Sequence, residues 1–189
     1  MIHSNLKHKE YVITNFPVNV KDKFKSRQIY HSYDSWWHYP SDLIDEIREI
    51  RKDTNKRITV YIDECQMLFD SRDWNRPGRR QWNEFFSIHR HLQNVNVILI
   101  CQNDKLLDKK IRAFLEECYT CRKVSSLGGF GLVLGALTLY KLHQCEIRYY
   151  SMRKMHLGQK WYLCRKKWRE MYNTYEEFGG TGDVKEIKG

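Results

Sequence analysis

Glycine is missing from the first 77 residues, and nowhere in the 189 does a Gly-Lys pair precede Ser or Thr. A G-x-x-x-x-G-K-[ST] loop, whose backbone amides cradle phosphates, is therefore not among them. Proline is scarce as well, with only Pro17, Pro40 and Pro77, while aromatic residues make up 14%. That composition excludes a disordered tail and indicates a folded chain. Long apolar runs are also lacking. Residues 1–10 are polar and have no apolar core of the kind a signal peptide carries. The most apolar window, residues 127–139 (LGGFGLVLGALTL), falls short of the ~20 residues a spanning helix needs. Its four glycines weaken a helix, so it is expected to supply a Gly-rich turn and a buried strand.

Acid is the minority charge. Against 23 Asp and Glu stand 33 Lys and Arg, a formal net charge of +10. This balance favours nucleic acid or an anionic membrane surface as partner and says nothing about fold. The length suits one domain large enough to bury a proper core. The six cysteines (Cys65, Cys101, Cys118, Cys121, Cys145 and Cys164) are scattered, as buried free thiols in a reducing compartment are. Cys118-x-x-Cys121 has metal-ligand spacing, but no second pair or His pair lies at a finger-like distance. The two are expected on one face of a strand or bend, with a zinc-stabilised module as a rival reading.

The richest stretch is residues 58–66, ITVYIDECQ. Its β-branched and aromatic run reads as a buried parallel strand, and ligands collect at the carboxyl ends of such strands. Asp63 and Glu64 stand at that end. Two adjacent acids repel each other unless something positive sits nearby, such as the Mg²⁺ of a nucleotide. The plainer alternative is an acidic helix N-terminus that suits the macrodipole.

A helix from residue 41 precedes this strand, where Ser41 or Asp42 can cap and Leu43, Ile44, Ile47 and Ile50 recur at helical spacing. Strand, helix, strand in this order implies a right-handed crossover. Pro77-Gly78 marks a turn into a helix over residues 79–92, with His89, Arg90 and His91 in its last turn, where cations suit the carbonyl-rich end. Residues 95–101 form a second apolar strand, closed by Gln102. The aromatic cluster Tyr33, Trp36, Trp37, His38 and Tyr39 reads as a loop packed on the sheet.

This order of parts, an IDE-x-Q strand end, an HRH helix, a strand closing in Gln102 and then Ile111-Arg112, resembles the zonula occludens toxin-like family. The resemblance extends to Thr14-Asn15-Phe16-Pro17 and to Tyr172-Asn173-Thr174-Tyr175. It implies an α/β, P-loop NTPase-type parallel sheet with flanking helices, whose first strand and phosphate loop are absent here. It also implies a C-terminal antiparallel β/α extension. Residues 1–116 would form the partial ATPase core, 117–178 a β-rich extension of the same domain, and 179–189 a tail.

The family is one of filamentous-phage assembly and export ATPases, so the resemblance further implies ATP and Mg²⁺ as cofactors. Asp63 would hold the metal, and Glu64 would activate water. Gln102 would sense the γ-phosphate, Arg112 would act on a neighbouring subunit, and His89, Arg90 and His91 would lie beside the nucleotide face. Its implied partners are further copies of the chain, phage single-stranded DNA and inner-membrane assembly proteins, in the cytoplasm of a bacterial host. The missing strand is expected to leave the acid-tipped strand short of a neighbour, which points to a fragment or to a chain completed by a partner. Residues 117–152 read as strands, including one over residues 133–142. Beyond them Trp161, Arg165, Lys166, Lys167 and Trp168 mix stacking surfaces with cations, the composition of a single-stranded nucleic-acid groove or of a partly buried helix or strand with a snorkelling basic rim. A nonenzymatic DNA-binding or membrane-docking scaffold on the same fold is the alternative.

Overall fold

A computed structural model describes residues 1–32, 40–73, 75–88, 92, 94–150 and 155–172, without the side chains of Lys167 and Arg169. The chain divides into two units, one of Met1–Arg112 with the chain from Met171 on, the other of Ala113–Glu170. The expected aromatic loop at residues 33–39 lies outside the described residues.

In the first unit the elements run α1 (Ile2–Lys7), β1 (Tyr11–Thr14), α2 (Asp22–Lys25), β2 (Gln28–Tyr30) and α3 (Pro40–Asp53). They continue as β3 (Ile58–Ile62), α4 (Gln66–Phe69), α5 (Arg79–Ile88), β4 (Val95–Leu99) and α6 (Lys109–Ala113). The four strands are all parallel, in the order β2-β1-β3-β4. Parallel neighbours need crossover connections, and the helices between successive strands supply them. All five residues of β3 are buried, as expected of a central strand in a sheet covered on both faces.

One expectation is corrected here. The acid-tipped strand lacks no neighbour: Tyr11 lies opposite Ile58 on one side and Val95 opposite Ile58 on the other. The reason is strand order: β1 and β4 both run alongside β3, so the edges of the sheet fall at β2 and β4 instead.

Side chains alternate across β3 and pack on both faces. Tyr61 joins Leu6, Val12, Phe16 and Phe24 in one core cluster. Asn5 of α1 donates to the Thr59 hydroxyl at 3.0 Å and to the Tyr61 hydroxyl at 3.2 Å. Burial pushes the Tyr61 phenol well above its usual range. A second cluster is aromatic. Phe69 meets Trp82 at 5.3 Å between ring centroids, and Phe85 meets Phe86 at 5.4 Å, both edge-on. Gly78, at φ 82°, makes the turn into α5 that Pro77-Gly78 foretells.

The second unit is a three-stranded antiparallel sheet of β5 (Glu117–Lys123), β6 (Leu142–Tyr149) and β7 (His156–Leu163), in that order. It also carries α7 (Gly128–Leu137) and α8 (Lys166–Arg169). The strand expected at residues 133–142 is thus a helix followed by the start of β6. A ten-residue apolar run has no period that separates helix from strand, and ten residues is long for a strand. A second correction concerns Cys118 and Cys121. Three residues apart on β5, they fall on opposite faces, because a strand has a period of two. Cys121 instead faces Cys145 across the sheet, with their sulfurs 3.1 Å apart. Among the described residues no group of three or more His, Cys, Asp or Glu is placed to hold a metal ion.

Candidate functional site

The carboxyl end of β3 delivers Asp63 and Glu64 into a network drawn from distant parts of the chain. Asn15, just past β1 and buried, grips the Asp63 backbone from both sides. Its Oδ1 accepts the Asp63 amide at 2.7 Å, and its Nδ2 donates to the Asp63 carbonyl at 3.0 Å. The Asp63 carboxylate accepts the Glu64 amide at 2.9 Å on Oδ1 and the Tyr172 hydroxyl at 2.9 Å on Oδ2. The Tyr172 ring packs edge-on against Phe16 at 5.2 Å. The Asn and the Phe of the Thr14-Asn15-Phe16-Pro17 stretch therefore have separate tasks: one fixes the acid's backbone, the other holds the tyrosine that fixes its side chain.

Glu64 takes a left-handed backbone, φ 47°, which a non-glycine residue adopts at a cost. Its carboxylate accepts from Gln66 Nε2 on Oε2 and from Gln102 Nε2 at 3.5 Å on Oε1. Gln102 is exposed. The structure thus brings Asp63, Glu64 and Gln102 together, as the sequence led us to expect, and adds Asn15, Gln66 and Tyr172, to which no role had been given. Gln66 Oε1 is buried with no hydrogen-bond partner, a polar atom left unsatisfied at the site.

Cys65 follows the acid pair directly, and its amide donates to the Ile100 carbonyl at 3.0 Å. Its thiol hydrogen-bonds with Cys101, which together with burial pushes Cys65 well above the usual thiol range, while the same bond draws Cys101 below it.

Arg112 sits on α6, half-buried, with its Nε buried and without a hydrogen-bond partner. His89, Arg90 and His91 lie outside the described residues. In the second unit Trp161 is exposed on β7, and the Arg165 guanidinium stands 6.0 Å from the Trp168 ring. Lys166 approaches Glu170 at 3.6 Å, and the Lys167 side chain is outside the described set. A hollow of about 580 Å³ in the first unit is lined by Arg76, Arg79, Arg80 and Lys110 among others, and by none of the acid-site residues.

The sequence matches the family model of the Zonular occludens toxin (Zot) over residues 15–172. The chain belongs to the Zot family. This match ends on Tyr172, the partner of Asp63, and begins on Asn15, its other partner. Among curated relatives, the Gene 1 protein of Enterobacteria phage fd is 26% identical over 139 residues, covering 69% of this chain and 40% of that protein. The Gene 1 protein of Enterobacteria phage I2-2 is 30% identical over 134 residues, covering 67% of this chain and 36% of that protein. The Zot-family chain therefore spans well under half the length of these relatives. In fold it is similar to the N-terminal domain of zonular occludens toxin from Neisseria meningitidis, with a TM-score of 0.50 and 17% identity over 87% of this chain and 80% of that one. The α/β architecture expected from the sequence, a parallel sheet with flanking helices followed by an antiparallel extension, is the one observed.

Proposed function

We propose that this chain is the acid half of a filamentous-phage assembly and export ATPase, whose intact form couples ATP hydrolysis to extrusion of virion DNA. The observation that carries the reading is the acid pair itself. Asp63 is fixed from both sides by Asn15 and Tyr172, and beside it Glu64 is held in a left-handed backbone at the mouth of a parallel sheet. Such strain concentrates at functional sites, and strand carboxyl ends are where α/β sheets bind ligands.

The residues present fit one side of a Mg·ATP site. Mg²⁺ is bound through one or two carboxylates plus the phosphates it accompanies, and keeps several waters. Asp63 suits that role, because each of its oxygens keeps acceptor capacity beyond its one hydrogen bond. When bound, the ion supplies neutralisation of phosphate charge. The phosphate cradle has no counterpart in these 189 residues, so it comes from polypeptide other than them.

Within this chain Asp63 holds the metal side, and Glu64 accepts the proton of the attacking water. Gln102, hydrogen-bonded to Glu64, reports on the phosphate end. Arg112 reaches a neighbouring copy's site, where a guanidinium stabilises charge on a transferred phosphoryl group. His89, Arg90 and His91 border the nucleotide face. Trp161, Arg165, Lys166, Lys167 and Trp168 meet phage single-stranded DNA, at the inner face of the host membrane where the assembly proteins are. Residues 1–116 act as the motor core, with 117–178 as its extension.

The lack of a phosphate loop in the sequence favours a second reading, a nonenzymatic scaffold that binds DNA or membrane. Virion release separates the two. With Glu64→Gln introduced into the phage genome, the ATPase reading expects release to fall by about 100-fold or more at unchanged protein level. Unchanged release, with salt-sensitive DNA binding retained, would establish the scaffold.

A further inference from the structure

We infer that α7 is an interfacial membrane anchor that inserts its apolar face into an anionic bilayer. α7 is built inside out for a water-soluble helix. Its buried residues are Gly131 and Gly135, while Phe130 is 78% exposed, Leu132 55%, Val133 60% and Leu137 76%. A helix that is apolar all round belongs in a protein core or in a membrane, and α7 lies in neither while in water.

The glycines fix which face looks out. A Cβ on Gly131 would stand 2.2 Å from the Val124 carbonyl oxygen, and one on Gly135 would stand 2.8 Å from the Ser125 Cβ. The helix is therefore seated tightly by its glycine stripe on the 3₁₀ turn Val124–Ser126, and the large side chains have only the outward direction. Leu139 and Tyr140, both in the left-handed backbone region, end the excursion and leave Leu139 70% exposed. Two consecutive non-glycine residues in that region are a strain kept where function uses it.

Charge selects the occupant. From residue 118 to residue 145 there is no Asp or Glu, and the cations Arg122, Lys123 and Lys141 flank the apolar excursion on both sides. Lys123 pairs in register with His143, and Lys141 immediately precedes β6, so these groups share the end of the sheet from which α7 departs. Residues 113–170 hold eleven Lys and Arg against four Asp and Glu. An apolar excursion with cations at its base, beside exposed Tyr140, matches an anionic headgroup layer over a hydrocarbon interior. Ten helical residues extend ~15 Å, half the ~30 Å hydrocarbon thickness, so the helix enters one leaflet and does not cross. Among the described residues no helix is long and apolar enough to cross a membrane. The anchor does not depend on nucleotide turnover, and Glu64→Gln leaves it intact.

The test uses the full chain with vesicles of phosphatidylcholine alone or mixed with phosphatidylglycerol. Flotation with the mixed vesicles is expected, together with a blue-shifted emission of Phe130→Trp that brominated acyl chains quench. Val133→Glu and Leu137→Glu, both on the exposed face, should each lower the bound fraction at least tenfold with circular dichroism unchanged. Lys123→Ala and Lys141→Ala should each weaken binding about fivefold. Three results overturn the anchor: no flotation, flotation that survives both glutamates, or a blue shift without lipid accompanied by a dimer mass, which would make the occupant a second copy of the chain.

Discussion

α5 and α7 are each ten residues long and each carries several large apolar side chains, yet they are built in opposite senses. α5 turns Trp82 and Phe86 inward against Phe69, with Phe85 packed on both, and leaves Arg80, Glu84 and Ser87 in water. α7 turns glycines inward and leaves Phe130, Val133 and Leu137 in water. The difference lies in the residues available to each inner face. α5 packs on Phe69 of α4, and side-chain volume there stabilises the fold. α7 packs onto one turn of its own unit, where backbone must approach backbone, and volume there would push it away. Burial in one case and close approach in the other select opposite residue sizes.

The sharpest break of this comparison is Trp82→Ala. Loss of a ring that contacts Phe69, Phe85 and Phe86 should cost about 3–5 kcal/mol of unfolding free energy in urea titration of the full chain. Asn15→Ala comes next, because it strips both partners from the Asp63 backbone; a cost of about 1–3 kcal/mol is expected. Gly131→Ala places a methyl against the Val124 carbonyl and should cost about 1–3 kcal/mol, with the loss confined to hydrogen-exchange protection of residues 124–140. Leu137→Gln should shift stability by less than about 0.5 kcal/mol, since its side chain is exposed already. A large loss at Leu137, or none at Gly131, would put the packing of α7 the other way round.

The acid-tipped strand was legible in the sequence because a five-residue apolar run ending in Asp63-Glu64 has few other uses. Gln102 was singled out as closing a strand through Cys101, whereas β4 ends at Leu99 and Gln102 stands three residues beyond it. What could not be read was the support. Asn15 lies 48 residues from Asp63 and Tyr172 lies 109 residues away, and no local pattern links side chains across such separations. Resemblance had pointed at both stretches without assigning them a task. A buried Asn immediately after a β-strand was the available signal, since such a side chain must find partners.

α7 was misread for a different reason. Its glycines were counted as helix breakers by intrinsic propensity, whereas Gly131 and Gly135 serve a close approach that only the folded unit reveals. The neighbours of β3 were misjudged because strand order is not a property of any one segment: β1, 40-odd residues upstream, runs beside β3 in register while β2 lies beyond it.

The central claim is that Asp63 and Glu64 form the acid side of a working ATPase site. The most direct measurement is ATP hydrolysis by the assembly purified from phage-producing cells through a tag on this chain, wild type against Glu64→Gln. The account predicts that hydrolysis falls by about 100-fold or more while the amount of nucleotide bound is unchanged. Equal hydrolysis by both proteins would contradict it.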